Sequence, residues 1–162
     1  MEILKFPNPT LLKPCKPVTV FGPELKTILD SMYDTMVKAN GLGLSANQVN
    51  LDMTMFVMLG ESGARLNVVN PNILSCSKLT YPFKEGCLSS PGTFAEITER
   101  PLWTQIRFQD YEGNFCTATL FRIDSICVNH EIEHLQGKSF LQSKSIPRAK
   151  RRQLCGRWGL KP

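Results

Sequence analysis

Beyond Glu133 the chain has no acidic residue, and beyond His134 no histidine. Only two histidines occur in the whole sequence, and the longest strongly apolar run is Met53–Leu59. That run is far short of the roughly 18–20 residues a bilayer-spanning helix needs, so no membrane span is expected. Lys5 and Pro7 interrupt any hydrophobic start, and no export signal is expected either. Internal repeats, low-complexity tracts and long Gly/Ser linkers are also missing, which leaves no solenoid or multi-domain reading. With 162 residues, 42% of them hydrophobic and 20% charged, the composition is that of one compact globular domain.

The missing acids divide the chain electrically. Residues 1–133 carry 11 Lys/Arg and all 14 Asp/Glu, a net −3, whereas residues 134–162 carry 8 Lys/Arg and no acid, a net +8. The overall +5 therefore belongs to the C-terminus. Its Arg148, Lys150, Arg151 and Arg152 fit a solvated helix face or a contact for a polyanion.

Six cysteines could form a disulfide framework in an exported protein. Without an export signal they are read as reduced, mostly small buried hydrophobes, of which one could be a metal ligand.

Apolar residues from Leu25 to Val37 recur at three- and four-residue spacing, which predicts a helix over Pro23–Asn40 opened by Pro23 and stopped by Gly41. The small-residue segment Gly41–Gln48 follows. Met53–Leu59, Leu66–Val69, Leu79–Phe83, Leu102–Phe108 and Phe115–Arg122 read as strands, with Asp110–Asn114 as the turn between the last two. A second helix is expected from Ile123 or Asp124 to Gln136, and a short basic one after Pro147. Strands bracketed by helices without regular alternation indicate an α+β fold, here small antiparallel or mixed β-sheets packed around a central helix.

That central helix carries His130-Glu131-Ile132-Glu133-His134. Positions i and i+4 share a helix face, so both imidazoles can bind one metal while Glu131 reaches a water beside it. A solvated or hydrogen-bonded pair of histidines is the plainer alternative. A catalytic site of this type needs a third protein ligand, and none of the usual His, Asp or Glu lies downstream. It must come from upstream or be the isolated Cys155. Thiolate suits zinc and ferrous iron, and Cys87 and Cys127 are the serious candidates. Cys127 lies one helical turn before His130, while Cys87 sits in the loop-like stretch Glu85–Gly92 where backbone amides are free. Both remain open on this reading.

Three segments, Gly41–Gln48, Glu85–Ser89 and His130–His134, stand in the order and form of the motifs G-φ-G-φ-A-A-x-Q, E-G-C-φ-S and H-E-x-x-H. Together they resemble peptide deformylases, and the likeness extends over about residues 2–145. It implies a catalytic domain over 1–146, with 147–162 as a short basic C-terminal helix or tail of the same domain. The implied activity is metal-dependent removal of the N-formyl group from the N-terminal methionine of new polypeptides, releasing formate. Cys87, His130 and His134 would hold one divalent metal, with water completing the set, and Glu131 would act as general base and then general acid. The side-chain amide of Gln48 and the backbone N–H of Leu88 would stabilise the oxyanion. Leu42, Phe83, Ile126 and Cys127 would line the methionine pocket, and Gly43 and Gly86 would contact the substrate, Gly43 letting backbone crowd a formyl group that is smaller than acetyl. Glu85 is expected to pair with Arg100.

Three residues depart from the commonest family pattern. Ser45 stands for the first alanine, Asn129 for glutamine before the first histidine, and Glu133 for aspartate. The longer Glu133 must fit whatever its shorter counterpart meets. The resemblance further implies Fe2+ as the physiological metal with Zn2+, Ni2+ or Co2+ accommodated, formyl-Met nascent peptides as substrates, a monomer, and a bacterial cytoplasm for a cellular or phage gene. It also makes the basic segment 144–161 a candidate for salt-sensitive ribosome contact through rRNA. A zinc endopeptidase, and a deformylase-like binding module with reduced activity, are the other readings; the missing downstream ligand opposes the first and the retained motif residues the second.

Overall fold

The computed structural model describes residues 1–162. A helix, α1, spans Pro23–Lys38 with Pro23 at its first turn; strands β1 (Gly43–Ser45), β2 (Met55–Leu59) and β3 (Arg65–Cys76) follow. Next come a hairpin, β4 (Phe83–Gly86) and β5 (Phe94–Ile97), and two long strands, β6 (Trp103–Gln109) and β7 (Phe115–Phe121). Helix α2 (Arg122–Leu135) and the C-terminal helix α3 (Arg148–Arg157) complete the chain. One five-stranded sheet has the order β1-β2-β3-β6-β7, β4 and β5 form a separate two-stranded sheet, and every pairing is antiparallel.

The continuous apolar run of β2 is explained by burial on both faces. Side chains alternate along a strand. Met55 and Val57, with Val69 of β3, therefore join Leu25, Leu29, Met32 and Met36 of α1. Phe56 and Met58, with Val68, turn the other way onto Cys127, Val128, Ile132 and Leu135 of α2. The sheet lies between the two helices, and the histidine helix is pressed against it by its own apolar stripe. A third apolar cluster ties the N-terminal Phe6 and Leu11 to β5, to Phe140 and Leu141 after α2, and to Cys155 and Leu160 at the C-terminus. Helix α3 is thereby packed on the body; Cys155 is fully buried and Trp158 Nε1 donates to Thr93 Oγ1 at 2.9 Å.

The sequence reading differs from the structure in three places. Leu66–Val69 is only the first part of β3, which continues to Cys76 past Asn70. Asn70 has φ 49°, in the left-handed region, and the β3–β6 register shifts between Val69 and Asn72. Its side chain secures the irregularity by accepting from Val18 N (2.9 Å) and donating to Val18 O (2.8 Å). The turn-like Asn70-Pro71-Asn72 thus marks a bulge within a strand. Leu79–Phe83 is not a strand; only Thr80 bridges to Pro101, and the paired segment starts at Phe83. Strand β5 was not expected at all, because four residues opposite β4 carry too short a pattern to stand out.

Leu29 is fully buried between α1 and the sheet. Leu29→Ala should cost about 2–5 kcal/mol of unfolding free energy, read as a lower urea midpoint with an unchanged slope; a change below 0.5 kcal/mol would show that this packing is not limiting.

Candidate metal centre

Helix α2 places His130 and His134 on one face, 4.9 Å apart between ring centroids. Cys87, in the loop that leaves β4, faces them, and the ligand atoms of the three residues lie within 4.8 Å of one another. Cys87 Sγ is 3.0 Å from His134 Nε2. Cys127 is not in this group. Its side chain points to Gly43, where a Cβ would come within 2.7 Å of Sγ.

The imidazoles are set by what holds their other edges. His130 Nδ1 lies 2.9 Å from Glu85 Oε2, so Nδ1–H donates to the carboxylate and Nε2 is left towards Cys87. Glu85 is buried and doubly bonded by Arg100, at 2.6 Å from Nε and 3.0 Å from Nη2. The same guanidinium donates to Glu133, at 2.7 and 2.9 Å from Nη1 and Nη2. The longer carboxylate of Glu133 therefore reaches Arg100 at ordinary ion-pair distance. Asn129 is likewise satisfied, donating to Thr104 Oγ1 (2.8 Å) and Ser125 O (2.7 Å).

Burial opposes ionisation of the Cys87 thiol, but the His134 charge and hydrogen bonds with both histidines outweigh it and hold the thiol well below its usual range. For Cys127, burial and the neighbouring Glu131 act together and push the thiol well up. These surroundings favour the thiolate form at Cys87 and the neutral thiol at Cys127. Burial disfavours ionised Glu85 too, yet His130 and Arg100 hold its pKa below the ordinary value. Glu131 is buried without such a partner; burial raises its pKa despite the two nearby imidazoles, and its Oε2 makes no hydrogen bond.

Around this cluster opens a cavity of about 570 Å³. Its walls include all six residues expected to contact substrate, Leu42, Gly43, Phe83, Gly86, Ile126 and Cys127, together with Gln48, Leu88, His130 and Glu131. Gln48 is buried on the short 3-10 turn Ala46–Val49, its Nε2 3.0 Å from Ser89 Oγ and 3.6 Å from Cys87 Sγ. Leu88 N–H makes no hydrogen bond within the protein. Gly43 lies where a Cβ would meet Glu131 Oε1 at 2.5 Å, so glycine is what lets β1 approach the glutamate. Gly86 has a different neighbour, since a Cβ there would strike the Phe94 ring at 2.6 Å. Phe94, Ile3, Lys5 and Ile123 also line the cavity. Sequence reasoning missed them; Phe94 could have been found only by recognising β5. It also missed Asn47, fully buried and donating to the His134 carbonyl at 2.6 Å.

The donor set, one cysteine sulfur and two imidazoles with a buried carboxylate beside them, fits a divalent zinc- or iron-type ion. Comparison with known proteins agrees. The family model described as polypeptide deformylase matches residues 1–150. Peptide deformylase of Phenylobacterium zucineum is 36% identical over 156 residues, 94% of this chain and 90% of that protein. Peptide deformylase 1B, chloroplastic/mitochondrial, of Arabidopsis thaliana is 38% identical over 144 residues, 86% of this chain and 52% of that protein. The crystal structure of peptide deformylase from Ehrlichia chaffeensis superposes with a TM-score of 0.88 at 30% identity, over 98% of this chain and 94% of that one.

Arg100→Ala would leave Glu85 buried without its main partner. The loss should be about 3–5 kcal/mol in urea unfolding at neutral pH. Because the Glu85 pKa is depressed, its contribution is present above the unfolded value of 4.5 and is lost as pH falls through the folded value. In the variant the folded value rises towards or above the unfolded one, so Glu85's share of the acid-induced loss should shrink or vanish; an unchanged acid limb would show that Arg100 is not what holds Glu85 ionised.

Proposed function

The chain belongs to the polypeptide deformylase family, and from that premise we propose how its own residues carry the activity. The enzyme is a metal-dependent hydrolase that removes the formyl group from the N-terminal methionine of new polypeptides and releases formate. The observation that supports the assignment of roles is the meeting of Cys87, His130 and His134 beside the buried Glu131, whose Oε2 makes no hydrogen bond.

Cys87, His130 and His134 hold one divalent ion, for which we propose Fe2+, with Zn2+, Ni2+ or Co2+ as substitutes. When bound, it supplies Lewis-acid polarisation of the formyl carbonyl and a lowered water pKa. Glu131 accepts the proton of the attacking water as the O–C bond forms. It delivers that proton to the methionine nitrogen as the C–N bond breaks, a role suited to a carboxyl whose pKa burial has raised. Gln48 Nε2 and Leu88 N–H donate to the oxyanion. Leu42, Phe83, Ile126 and Cys127 take up the methionine side chain from the cavity wall. Gly43 brings β1 so close to Glu131 that there is little space for the methyl of an acetyl group.

Protein loaded anaerobically with ferrous iron should release formate from a formyl-Met peptide. Glu131→Gln should reduce kcat/KM by about 10²-fold or more with metal content retained. Equal activity in the variant, or cleavage confined to internal peptide bonds, would overturn the assignment.

We further propose a monomer that works in the bacterial cytoplasm on nascent chains, with residues 1–146 as the catalytic part and 147–162 as its basic C-terminal helix. No helix is long and apolar enough to cross a membrane. The basic segment 144–161 is the proposed rRNA contact. Arg148, Lys150 and Arg152 are exposed on α3, whereas Arg151 is half-buried and donates to Ser143 O at 3.4 Å. On the first turns of α3 the charges free to meet phosphate are therefore the first three, and Lys144, Arg157 and Lys161 are exposed around them. Replacing Arg148, Lys150 and Arg152 together by Glu should abolish salt-sensitive ribosome binding in co-sedimentation and leave formate release from short peptides unchanged. Binding insensitive to both salt and these replacements would leave the charges as a solvated face.

A further inference from the structure

Gln48 can stabilise an oxyanion only if its amide nitrogen, and not its oxygen, faces the reacting centre. An amide is nearly symmetric in shape, so hydrogen bonds must choose between the two orientations. We propose that Ser45 and Asn47 are positioning residues that set this choice and tie the Gln48 amide to the histidine helix. The proposal rests on the oxyanion role given to Gln48 above.

The bonds form one buried chain. Ser45 N–H can only donate, and it lies 3.0 Å from Gln48 Oε1, which places the oxygen inward and Nε2 towards Ser89 and Cys87. The His134 carbonyl can only accept, so Asn47 turns Nδ2 to it at 2.6 Å and its own Oδ1 the other way. Between these two fixed amide oxygens sits Ser45 Oγ, 2.9 Å from each. Its single proton is within reach of both, and the Glu131 carboxylate lies beside the same hydroxyl. A flipped Gln48 would put its NH2 against the Ser45 N–H, donor facing donor, with no acceptor for either. Ser45, Asn47, Gln48 and His134 are each at most 1% exposed, so water cannot replace a lost partner without entering the core. Asn47 adds what the turn alone lacks. Through the His134 carbonyl it links the oxyanion donor to the backbone of a proposed metal ligand, so that donor and ligand keep their spacing.

Ser45→Ala removes one atom and Asn47→Ala the link to α2. In zinc-loaded 15N-labelled protein, both should broaden or shift the Gln48 side-chain amide signals and speed their hydrogen exchange, with metal content unchanged. Each should lower kcat about tenfold at nearly constant KM, less than the roughly 10²–10³-fold loss expected when an oxyanion donor is deleted. In a Gln48→Ala background the further loss from either change should vanish. Unaltered Gln48 amide signals in Ser45→Ala, or losses that multiply with Gln48→Ala, would overturn the proposal. Should Asn47→Ala not fold, Ser45→Ala decides alone. Absence of formate release from the unsubstituted enzyme would instead strike the proposed function, and the amide signals would still report the positioning.

Discussion

A buried cation makes the rest of the site possible. To serve as the proposed metal ligand through Nε2, His130 would need a proton on Nδ1 and an ionised acceptor for it, and an ionised carboxylate in the interior is costly alone. Arg100 removes that obstacle. It donates two hydrogen bonds to Glu85 and two more to Glu133, so one guanidinium neutralises the orienting carboxylate and is itself held from α2. The chain runs Glu133, Arg100, Glu85, His130, beginning and ending on the same helix. A shift of α2 would strain both ends at once, which makes the helix position and the imidazole orientation one variable.

The sheet supplies the rigid frame for this arrangement. β2 is covered on both faces, by α1 on one side and α2 on the other, so α2 cannot rotate without displacing Phe56 and Met58 from their packing. Local motif and global core therefore agree: the residues on the face of α2 opposite the two histidines, Val128, Ile132 and Leu135, are the ones that bind α2 to the sheet.

That agreement explains what was legible in the sequence. The histidine pair, α1 and the doubly buried β2 carry long or strongly periodic patterns. The motif order suggested Cys87 over Cys127, and the two thiols prove to face different neighbours, one the imidazoles and the other Gly43 and the carboxylate of Glu131. What was not legible depends on contacts distant in sequence. β5 exists because β4 pairs with it, and the extension of β3 survives Pro71 because the Asn70 side chain secures the bulge. The role of Asn47 is invisible from its position in a variable slot of a motif, since its partner is the carbonyl of a residue 87 positions away. Serine at position 45 looked like a near-isosteric change. Only the amide oxygens on either side show that its hydroxyl has work to do.

The two buried glutamates nearest the histidines show how environment, more than residue type, divides the roles. Glu85 and Glu131 are both almost inaccessible, and desolvation disfavours the charge of each. Glu85 meets Arg100 and His130 and stays ionised below its ordinary range; Glu131 has an oxygen with no partner and is pushed upward. A permanently charged carboxylate can orient an imidazole but is a poor proton carrier near neutral pH. A carboxylate with a raised pKa can take a proton and give it back. Exchanging their surroundings would exchange their uses: Arg100 bonds Glu85 and makes no bond to Glu131, and that difference is what suits Glu131 to the proposed role of proton carrier.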